Sequence, residues 1–352
     1  MKNILLLGRY GSLGASSRLR SYQYLKYLAK SNILVDRTSF FSDEYLKQRY
    51  NGKTSKAIII KSYLLRFIKM LSAKKYDLIW IEYEVLPWLP FAFEKFLIPS
   101  EVKVLIDYDD AIFHRYDQHK SGLVRKFLGK KIISLMKRAD VVVVGNEYIE
   151  HYAKNAGASN IEYLPTVVDT DKYKVNKGNG SGVVKIGWIG TPSTQHYLIK
   201  IYPVLKKITE THDIKVVLVG ARRVDSITFP IDIFEWSEKK EIDYINQFDI
   251  GIMPLPDEPF ARGKCGYKLI QYMACAKPVV ASPVGVNCNI VEHGQNGFLA
   301  STLQEWHDNL LKLVNKRSLR IKLGKAGRTK VEKEYSLTHA SNAMVKIISK
   351  NS

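Results

Sequence analysis

The chain has 352 residues, of which 46% are hydrophobic, and 54 lysines and arginines stand against 34 aspartates and glutamates. This length suggests two domains of ordinary size, and the apolar content excludes an intrinsically disordered chain. No apolar run approaches the roughly 18 residues of a membrane-spanning helix. The first apolar run, residues 4–7, is also too short for a secretory signal peptide.

The cysteines indicate a reducing compartment. Cys265, Cys275 and Cys288 are odd in number and lack the spacing of a metal site. We therefore expect free thiols and a cytoplasmic protein.

The net charge of +20 is concentrated in two stretches, residues 47–75 and 120–138, which contain no acidic residue. Both stretches carry apolar residues at helical spacing, as in Ile60, Leu64, Phe67, Ile68 and Leu71. One interpretation is a pair of basic amphipathic helices on the anionic inner face of the cell membrane. The other is a pair of ordinary surface helices that pack on a core. The cations assigned to lipid in the first interpretation are Lys61, Arg66, Lys69, Lys126 and Lys130.

The N-terminal half reads as alternating strands and helices. Residues 2–7 predict a buried strand, followed by a glycine-bearing loop and a helix over about 17–30 with a cap at Ser16 or Ser17. Further strands are predicted at 77–82, 103–106 and 139–144. Trp88, Phe91, Phe93 and Phe96 follow the second strand and either touch lipid or pack.

Acidic side chains follow two of these strands. Glu82 ends one, and Asp107, Asp109, Asp110 and His114 follow the next. In an open parallel sheet, ligands bind beyond the carboxyl ends of the strands. Three carboxylates this close also leave a divalent metal as an alternative.

A polar, glycine-rich stretch over 175–182 is the clearest composition break, and a second strand–helix series follows it. Strands are predicted at 184–189, 215–219 and 231–236, with helices from about 197 and over 238–246. Such alternation in both halves predicts two parallel sheets. A final helix is expected over about 337–350.

The segment 249–300 has the most specific pattern. A short apolar strand at 250–253 leads into a loop with Arg262, Gly263, Lys264 and Gly266, and a helix then carries Lys268 in its first turn. Helix N-termini and nearby cations bind anions. The sequence therefore predicts a phosphate site here.

The same segment carries a family resemblance. Residues 271–285, QYMACAKPVVASPVG, resemble the E-A-M-A-x-G-x-P-V-V-A-S-x-x-G signature of retaining, nucleotide-sugar-dependent glycosyltransferases of the GT-B fold, family 4 type. Residues 291–299, VEHGQNGFL, resemble that family's V-x-x-G-x-N-G-x-L segment. The family has two glutamates eight positions apart where this chain has Gly263 and Gln271.

The resemblance implies two facing Rossmann-like domains with parallel sheets and a cleft between them. The expected division is an acceptor-binding domain at 1–168, a linker at 169–182, and a nucleotide-sugar-binding domain at 183–335. A C-terminal helix at 336–352 is expected to cross back to the first domain.

The resemblance also implies roles for individual residues. Where relatives place a histidine against the transferred sugar, this chain has Asp109, with His114 nearby. Stabilisation of the leaving diphosphate is assigned to Arg262 and Lys268. Thr191, Ser193 and Thr194 stand where relatives have diphosphate-binding cations, and Trp236 either stacks on a nucleobase or is simply buried. The donor set is Gly11, Gly14, Gly190, Thr191, Ser193, Trp236, Gly263, Lys264, Gly266, Tyr267 and Gln271. The acceptor set is Ser16, Arg18, Glu82 and Asp107.

We therefore expect a glycosyltransferase that moves a sugar, with retention, from a nucleotide sugar to a glycan that is lipid-linked, in cell-surface polysaccharide synthesis. No metal is expected, because the resembling fold works without one, and no nucleic-acid motif is present. The alternatives are a catalytically degenerate, membrane-associated partner of the same fold and a nucleotide-sugar epimerase.

Overall fold

The computed structural model describes residues 1–50, 52–53, 55–175, 182–223 and 227–352. These residues form two compact units. Unit 1 comprises Met1–Thr166, Gly263–Cys265 and Thr338–Ser352, and unit 2 comprises Val167–Arg262 and Gly266–Leu337. Residues 176–181, which make up most of the glycine-rich stretch 175–182 within the predicted linker, lie outside the described residues. No described helix is both long and apolar enough to cross a bilayer.

Unit 1 is built on a parallel sheet that has six strands in the described residues, in the order β2-β1-β3-β4-β5-β6. The central strands are buried on both faces, so their sequences are continuous apolar runs. Because β1 pairs with β2 on one side and β3 on the other, the chain reverses its direction of travel along the sheet at β1. The strands are β1 (Lys2–Tyr10), β2 (Ile33–Phe41), β3 (Leu78–Glu82), β4 (Lys103–Tyr108), β5 (Val141–Val144) and β6 (Ile161–Tyr163).

Helices connect the strands of unit 1, and the last helix of the chain, from Thr338 onward, also belongs to this unit. Short 3₁₀ turns lie at Tyr22–Tyr24 and Ala73–Lys75. The helices are α1 (Ala15–Arg20), α2 (Leu25–Lys30), α3 (Asp43–Tyr50), α4 (Lys56–Leu71), α5 (Phe91–Leu97), α6 (His114–Asp117), α7 (Gly122–Leu128), α8 (Lys131–Arg138) and α9 (Glu147–Asn155), with the last helix at Leu337–Asn351.

Three predictions about unit 1 need correction. The single helix expected over 17–30 is split into α1, a 3₁₀ turn and α2, and α1 begins at Ala15 with Gly14 as its N-cap, so neither Ser16 nor Ser17 is the cap. The basic stretch 120–138 forms two helices, α7 and α8. Strand β2 was not predicted, because it is an edge strand with polar residues at its centre.

Unit 2 has a second parallel sheet, with six strands in its described part and the order β12-β11-β10-β7-β8-β9. Strand β7 is central, and the chain first proceeds to β8 and β9 on one side and then returns to β10 on the other. This makes the carboxyl ends of β7 and β10 the topological switch point, where ligands bind in such sheets. The strands are β7 (Val184–Ile189), β8 (Ile214–Val219), β9 (Ile231–Phe234), β10 (Ile250–Met253), β11 (Val279–Ala281) and β12 (Gly297–Leu299).

The helices of unit 2 follow the same alternation, and the helix expected from 197 begins as a 3₁₀ helix at Gln195–Ile201. The helices are α10 (Tyr202–Thr211), α11 (Glu241–Asn246), α12 (Pro259–Arg262), α13 (Tyr267–Ala274), α14 (Asn287–Ile290), α15 (Leu303–Asn315) and α16 (Arg317–Glu334). The final helix of the chain, Leu337–Asn351, which belongs mainly to unit 1, is α17. The predicted class, two Rossmann-like α/β domains with parallel sheets, is confirmed.

Candidate functional site

The carboxyl end of β4 in unit 1 holds a buried ion pair. Arg20 of α1 donates from Nε and Nη2 to Oδ1 of Asp107, at 3.0 and 2.8 Å. Its Nη1 donates to the carbonyl of Leu164, at 2.7 Å. Burial raises the pKa of Asp107, and the charge of Arg20 opposes that shift. Asp107, predicted to contact the acceptor, is therefore first of all the partner of Arg20.

Glu82, at the end of β3, ties this strand to the glycine loop. Its Oε2 accepts from the backbone N–H of Arg9 at 3.0 Å and from the Ser17 hydroxyl at 2.5 Å. Burial raises the pKa of Glu82, and the hydrogen bond from Ser17 opposes the shift. The predicted acceptor residue thus fixes the start of α1 against β3.

Asp109 accepts a hydrogen bond from the Tyr83 hydroxyl. Tyr83 has a φ of +67°, a strained conformation for a residue with a side chain, and such strain is concentrated at functional sites. Burial raises the pKa of Asp109 to about 7, and the neighbouring charge of Asp110 adds to the shift. Asp109 can therefore change its charge near neutral pH, which suits a group that contacts a reacting sugar.

His114 is held in an aromatic cluster of unit 1. Its Nδ1 lies 2.8 Å from Oδ1 of Asp117, and its Nε2 lies 2.8 Å from the hydroxyl of Tyr148. Both ring nitrogens therefore have partners within the unit, so contact with a substrate requires one of these hydrogen bonds to be exchanged.

The glycine loop after β1 is fastened by Asp43. Oδ1 of Asp43 accepts from the backbone N–H of Leu13 at 2.9 Å, and Oδ2 accepts from the Ser12 hydroxyl at 2.8 Å. The N–H of Gly11 donates to the carbonyl of Phe41. Arg18 donates to the Ser12 carbonyl at 3.1 Å. Gly11, Gly14, Ser16 and Arg18 are thus brought together on one ordered loop and the first turns of α1.

The carboxylates after β4 do not form a metal site. Arg20 holds Asp107, Tyr83 holds Asp109, and Asp110 lies 3.8 Å from the ammonium of Lys264. Within the described ranges, no group of three His, Cys, Asp or Glu side chains is placed to hold a metal ion. That the protein works without a metal remains a prediction.

A buried ion cluster near this edge was not predicted from the sequence. The Lys131 ammonium lies 2.7 Å from Oε2 of Glu84 and 2.8 Å from Oε1 of Glu94, and Arg9 lies 2.6 Å from Oε1 of Glu84. All four side chains are buried. Burial raises the pKa of Glu94 to about 7, although Lys131 opposes the shift. The cluster binds β1, the segment after β3, α5 and α8 together.

The raised pKa of Glu94 has a measurable consequence. The unfolded chain ionises this carboxyl above its ordinary pKa of 4.5, whereas the folded chain keeps the proton to about pH 7. Wild-type stability from this group is therefore greatest at low pH and is lost between those values. The variant Glu94→Gln cannot ionise and does not lose this stability. As the pH rises through this interval, its free energy of unfolding should therefore increase relative to that of wild type, by on the order of 3 kcal/mol.

Urea unfolding at pH 5 and pH 8 measures this difference, and the exposed Glu44→Gln is the matched control. A gain for Glu94→Gln that shrinks as the pH rises would mean that Lys131 outweighs burial.

In unit 2, the switch point of the sheet brings Lys268 against the end of β7. Its ammonium lies 5.5 Å from the centre of the Trp188 ring. A side-chain carbon added at Gly190 would lie 2.3 Å from that ring and 3.0 Å from Cε of Lys268. Only glycine fits at this position, because the backbone after β7 packs directly against the Trp188 ring and the side chain of Lys268. This pairing of a bare backbone with an ammonium is suited to a phosphate.

The next residues form a compact polar turn. The Thr191 hydroxyl lies 2.8 Å from that of Ser193, and the Thr191 N–H donates to the Thr194 hydroxyl at 3.3 Å. The predicted helix N-terminus also lies in unit 2, where Gly266, with a φ of +66°, caps α13. Arg262, the other predicted phosphate ligand, donates twice to Asp257, at 2.6 and 3.1 Å. A phosphate at Arg262 would therefore compete with Asp257.

A buried network that the sequence did not predict surrounds Gln271. Gln271 Nε2 donates to the hydroxyl of Tyr173 at 2.7 Å, and that hydroxyl donates to Oε1 of Glu241 at 3.0 Å. Trp236 Nε1 donates to Oε2 of Glu241 at 3.0 Å, and the Tyr267 hydroxyl lies 3.4 Å from that of Tyr173. Burial raises the pKa of Tyr173 well above its usual range. Trp236 and Gln271, both predicted donor residues, are thus positioned by one network.

This network makes Gln271→Glu costly. The change removes the amide donor and places a second carboxylate on a hydroxyl that has one proton and already donates it to Glu241. Leaving a buried polar group without its partner costs about 1–3 kcal/mol. Because a buried carboxyl has a raised pKa, the lost stability should return as the pH falls and the new carboxyl takes up a proton.

Chemical unfolding at two pH values, with the exposed Gln247→Glu as control, provides the measurement. Equal effects of the two substitutions at every pH would exclude the network as the reason that glutamine occupies position 271.

The segment Gly263–Cys265 belongs to unit 1. Asn146 Nδ2 donates to the carbonyl of Gly263 at 2.9 Å. A side-chain carbon at Gly263 would lie 2.3 Å from Cβ of Ala111, so the glutamate that the resembling family has at this position would not fit. Burial raises the pKa of the Cys265 thiol to about 11, which makes it a poor nucleophile.

The comparisons with known proteins agree with this geometry. Residues 182–316 match the family Glycosyl transferases group 1. Sucrose-phosphate synthase from Thermosynechococcus elongatus superposes with a TM-score of 0.75 at 15% identity, over 99% of each chain. HepE from Anabaena, solved in complex with UDP, gives 0.71 at 16% identity over 99% of this chain and 100% of that one. A glycosyltransferase from Rickettsia africae superposes with a TM-score of 0.69 at 16% identity, over 100% of this chain and 99% of that one. No curated protein matches the sequence significantly.

The structural similarity shows that the chain has the GT-B fold of these glycosyltransferases. The family match covers residues 182–316, in agreement with the predicted resemblance to group 1 glycosyltransferases.

Proposed function

We propose that this glycosyltransferase takes its sugar from a nucleotide-sugar donor and that unit 2 binds the donor. The observation that carries the proposal is the position of Lys268 beside the bare backbone of Gly190, at the switch point of the second sheet. Support comes from similar structures whose names record the ligand, since HepE was solved with UDP and glucose and with UDP-glucose.

The chemistry follows from the charges. Breaking the bond to the anomeric carbon leaves negative charge on a diphosphate, and fixed donors stabilise that charge without reorganising. Lys268 supplies a cation, and Gly190, Thr191 and Ser193 supply the polar turn. Asp109 is proposed to contact the transferred sugar. Retention of configuration is proposed from the family resemblance.

The acceptor is proposed to be a glycan on a lipid carrier, in cell-surface polysaccharide synthesis. The proposed acceptor residues lie on unit 1 at the carboxyl ends of β1, β3 and β4, where ligands bind in open parallel sheets. They are Ser16, Arg18, Glu82 and Asp107. Because a glutamate has no room at position 263, the competing hypothesis is a catalytically degenerate partner protein of the same fold. Nucleotide binding distinguishes an active transferase from such a partner.

Lys268→Ala should weaken the binding of nucleoside diphosphates by about ten- to a hundredfold, because it removes a charged hydrogen bond worth roughly 1.5–3 kcal/mol. A thermal-shift series of nucleoside diphosphates identifies the base first, since ligand at 100 times its Kd adds about 2.7 kcal/mol to stability. Calorimetry then compares wild type with Lys268→Ala and with Lys207→Ala, an exposed control with the same charge change. Equal affinities in all three proteins would remove Lys268 from the site, and no binding by wild type would favour the degenerate partner.

We also propose that unit 1 binds the anionic face of the cell membrane. Helices α4, α5 and α7 expose large apolar side chains among exposed lysines. Arg66, assigned to lipid from the sequence, is buried and has to be removed from that set. Lys69 is paired with Asp36 at 2.6 Å. The exposed cations that remain are Lys61, Lys126 and Lys130.

Reversing Lys61, Lys126 and Lys130 to glutamate should release the protein from vesicles of anionic lipid, since each basic residue at such a surface contributes about 1 kcal/mol. Wild-type binding should also fall as salt is added. Cosedimentation measures both effects, and reversal of Lys207, Lys239 and Lys322 in unit 2 controls for net charge. Equal binding of wild type to neutral and anionic vesicles, or equal release by the two triple variants, would contradict the proposal.

A further inference from the structure

Helix α4 is turned so that two of its polar side chains face inward. Ser62 and Arg66 are buried, and Arg66 Nη2 donates to the carbonyl of Gly8 at 2.9 Å. The outer face is instead apolar, with Leu64 59% and Ile68 61% exposed. Exposed apolar patches of this kind mark interaction sites in soluble proteins. The outward apolar residues are Ile60, Leu64, Leu65, Phe67, Ile68 and Leu71.

A groove lies between α4 and α5, with a cavity of about 250 Å³. Helix α5 contributes Phe93 and the strongly exposed Phe96, which is 85% accessible. Among the residues that the structure describes, no charged side chain lines the groove. It therefore offers a continuous hydrocarbon surface that opens to solvent. Its principal lining residues are Tyr63, Leu64, Phe67, Leu89, Phe93 and Phe96.

The floor of the groove is fixed by the buried ion cluster. Leu86, which lines the floor, donates its N–H to Glu94 at 2.8 Å, and its carbonyl accepts from Lys131 at 2.5 Å. The Tyr63 hydroxyl donates to the carbonyl of Pro87. The groove is thus preformed, and its floor belongs to the segment that continues from Glu82 at the carboxyl end of β3.

Size and charge decide between occupants. A helix is about 10–12 Å across with its side chains, and a stable protein partner covers about 800 Å² on each side. A groove of about 250 Å³ therefore suits one extended chain better than a protein element. Lys56, Lys61 and Lys95 are exposed on the same two helices, whereas Glu94 is buried against Lys131. Cations beside a hydrocarbon groove complement a lipid with an anionic headgroup.

We infer that this groove binds the hydrocarbon chain of a lipid acceptor that carries a phosphate headgroup. The inference rests on the proposed function, because it names the acceptor as a prenyl- or alkyl-phosphate-linked glycan. Anchoring the chain between α4 and α5 holds the headgroup on unit 1, the unit that carries the acceptor residues.

Farnesyl diphosphate, used below its micelle-forming concentration, is the probe, and inorganic diphosphate is its chain-free control. Wild type should bind farnesyl diphosphate at least about a hundredfold more tightly than inorganic diphosphate, since each buried methylene contributes about 0.8 kcal/mol. Calorimetry is performed with saturating nucleoside diphosphate and again in Lys268→Ala, so that binding at the donor site is excluded.

The matched pair of variants is Leu64→Arg and Ile68→Arg, two equally exposed positions on α4 of which only Leu64 lines the groove. Leu64→Arg should lose about tenfold or more in affinity for farnesyl diphosphate, whereas Ile68→Arg should retain it. Phe96→Arg provides a second groove variant if Leu64→Arg does not fold.

Equal loss in both arginine variants would indicate a general apolar surface and overturn the inference. Two other results would also overturn it. One is equal wild-type affinity for farnesyl diphosphate and inorganic diphosphate. The other is a concentration-dependent dimer that Leu64→Arg abolishes, which would assign the face to a second copy.

Nucleotide binding, measured in the same proteins, separates the groove proposal from the donor proposal. If the groove result fails while nucleotide still binds, only the groove assignment falls. If wild type binds farnesyl diphosphate but no nucleotide, the donor proposal falls.

Discussion

The Lys131 ammonium is buried, and a buried charge costs several kcal/mol unless its neighbours supply partners with good geometry. Here Lys131 has three partners, which are Glu84 and the Leu86 carbonyl from the segment after β3 and Glu94 from α5. Arg9 of β1 completes the pairing of Glu84. The segment after β3 therefore has one stable path. That path carries Tyr83, which binds Asp109, at one end and the groove floor at the other.

A second consequence concerns α4. Arg66 reaches the carbonyl of Gly8 in β1, so the polar side of the helix is used for holding the sheet and the apolar side is left outside. An exposed apolar face is costly in water and is retained where something apolar covers it. The second basic stretch is divided between two helices. Phe127 of α7 is exposed, like the outer face of α4, whereas Ile132 and Leu135 of α8 are buried in the core.

The central strands of both sheets could be predicted because strands buried on both faces are continuous apolar runs. The meeting of Gly190 with Lys268 could also be anticipated, since loops at the carboxyl ends of parallel strands share one edge. Other features depend on the tertiary structure. Periodicity shows which residues of α4 share a face, but not which face is buried. Tyr173 lies far along the chain from its partner Gln271, and no local pattern announces that contact. Strand β2, with polar residues at its centre, resembles a loop.

The most direct measurement is a crystal structure of the protein with the nucleoside diphosphate that stabilises it most. The account predicts phosphate oxygens at about 3 Å from Nζ of Lys268 and against the backbone of Gly190 and Thr191. A nucleotide bound elsewhere, with Lys268 still packed on Trp188 and no phosphate beside it, would contradict the account.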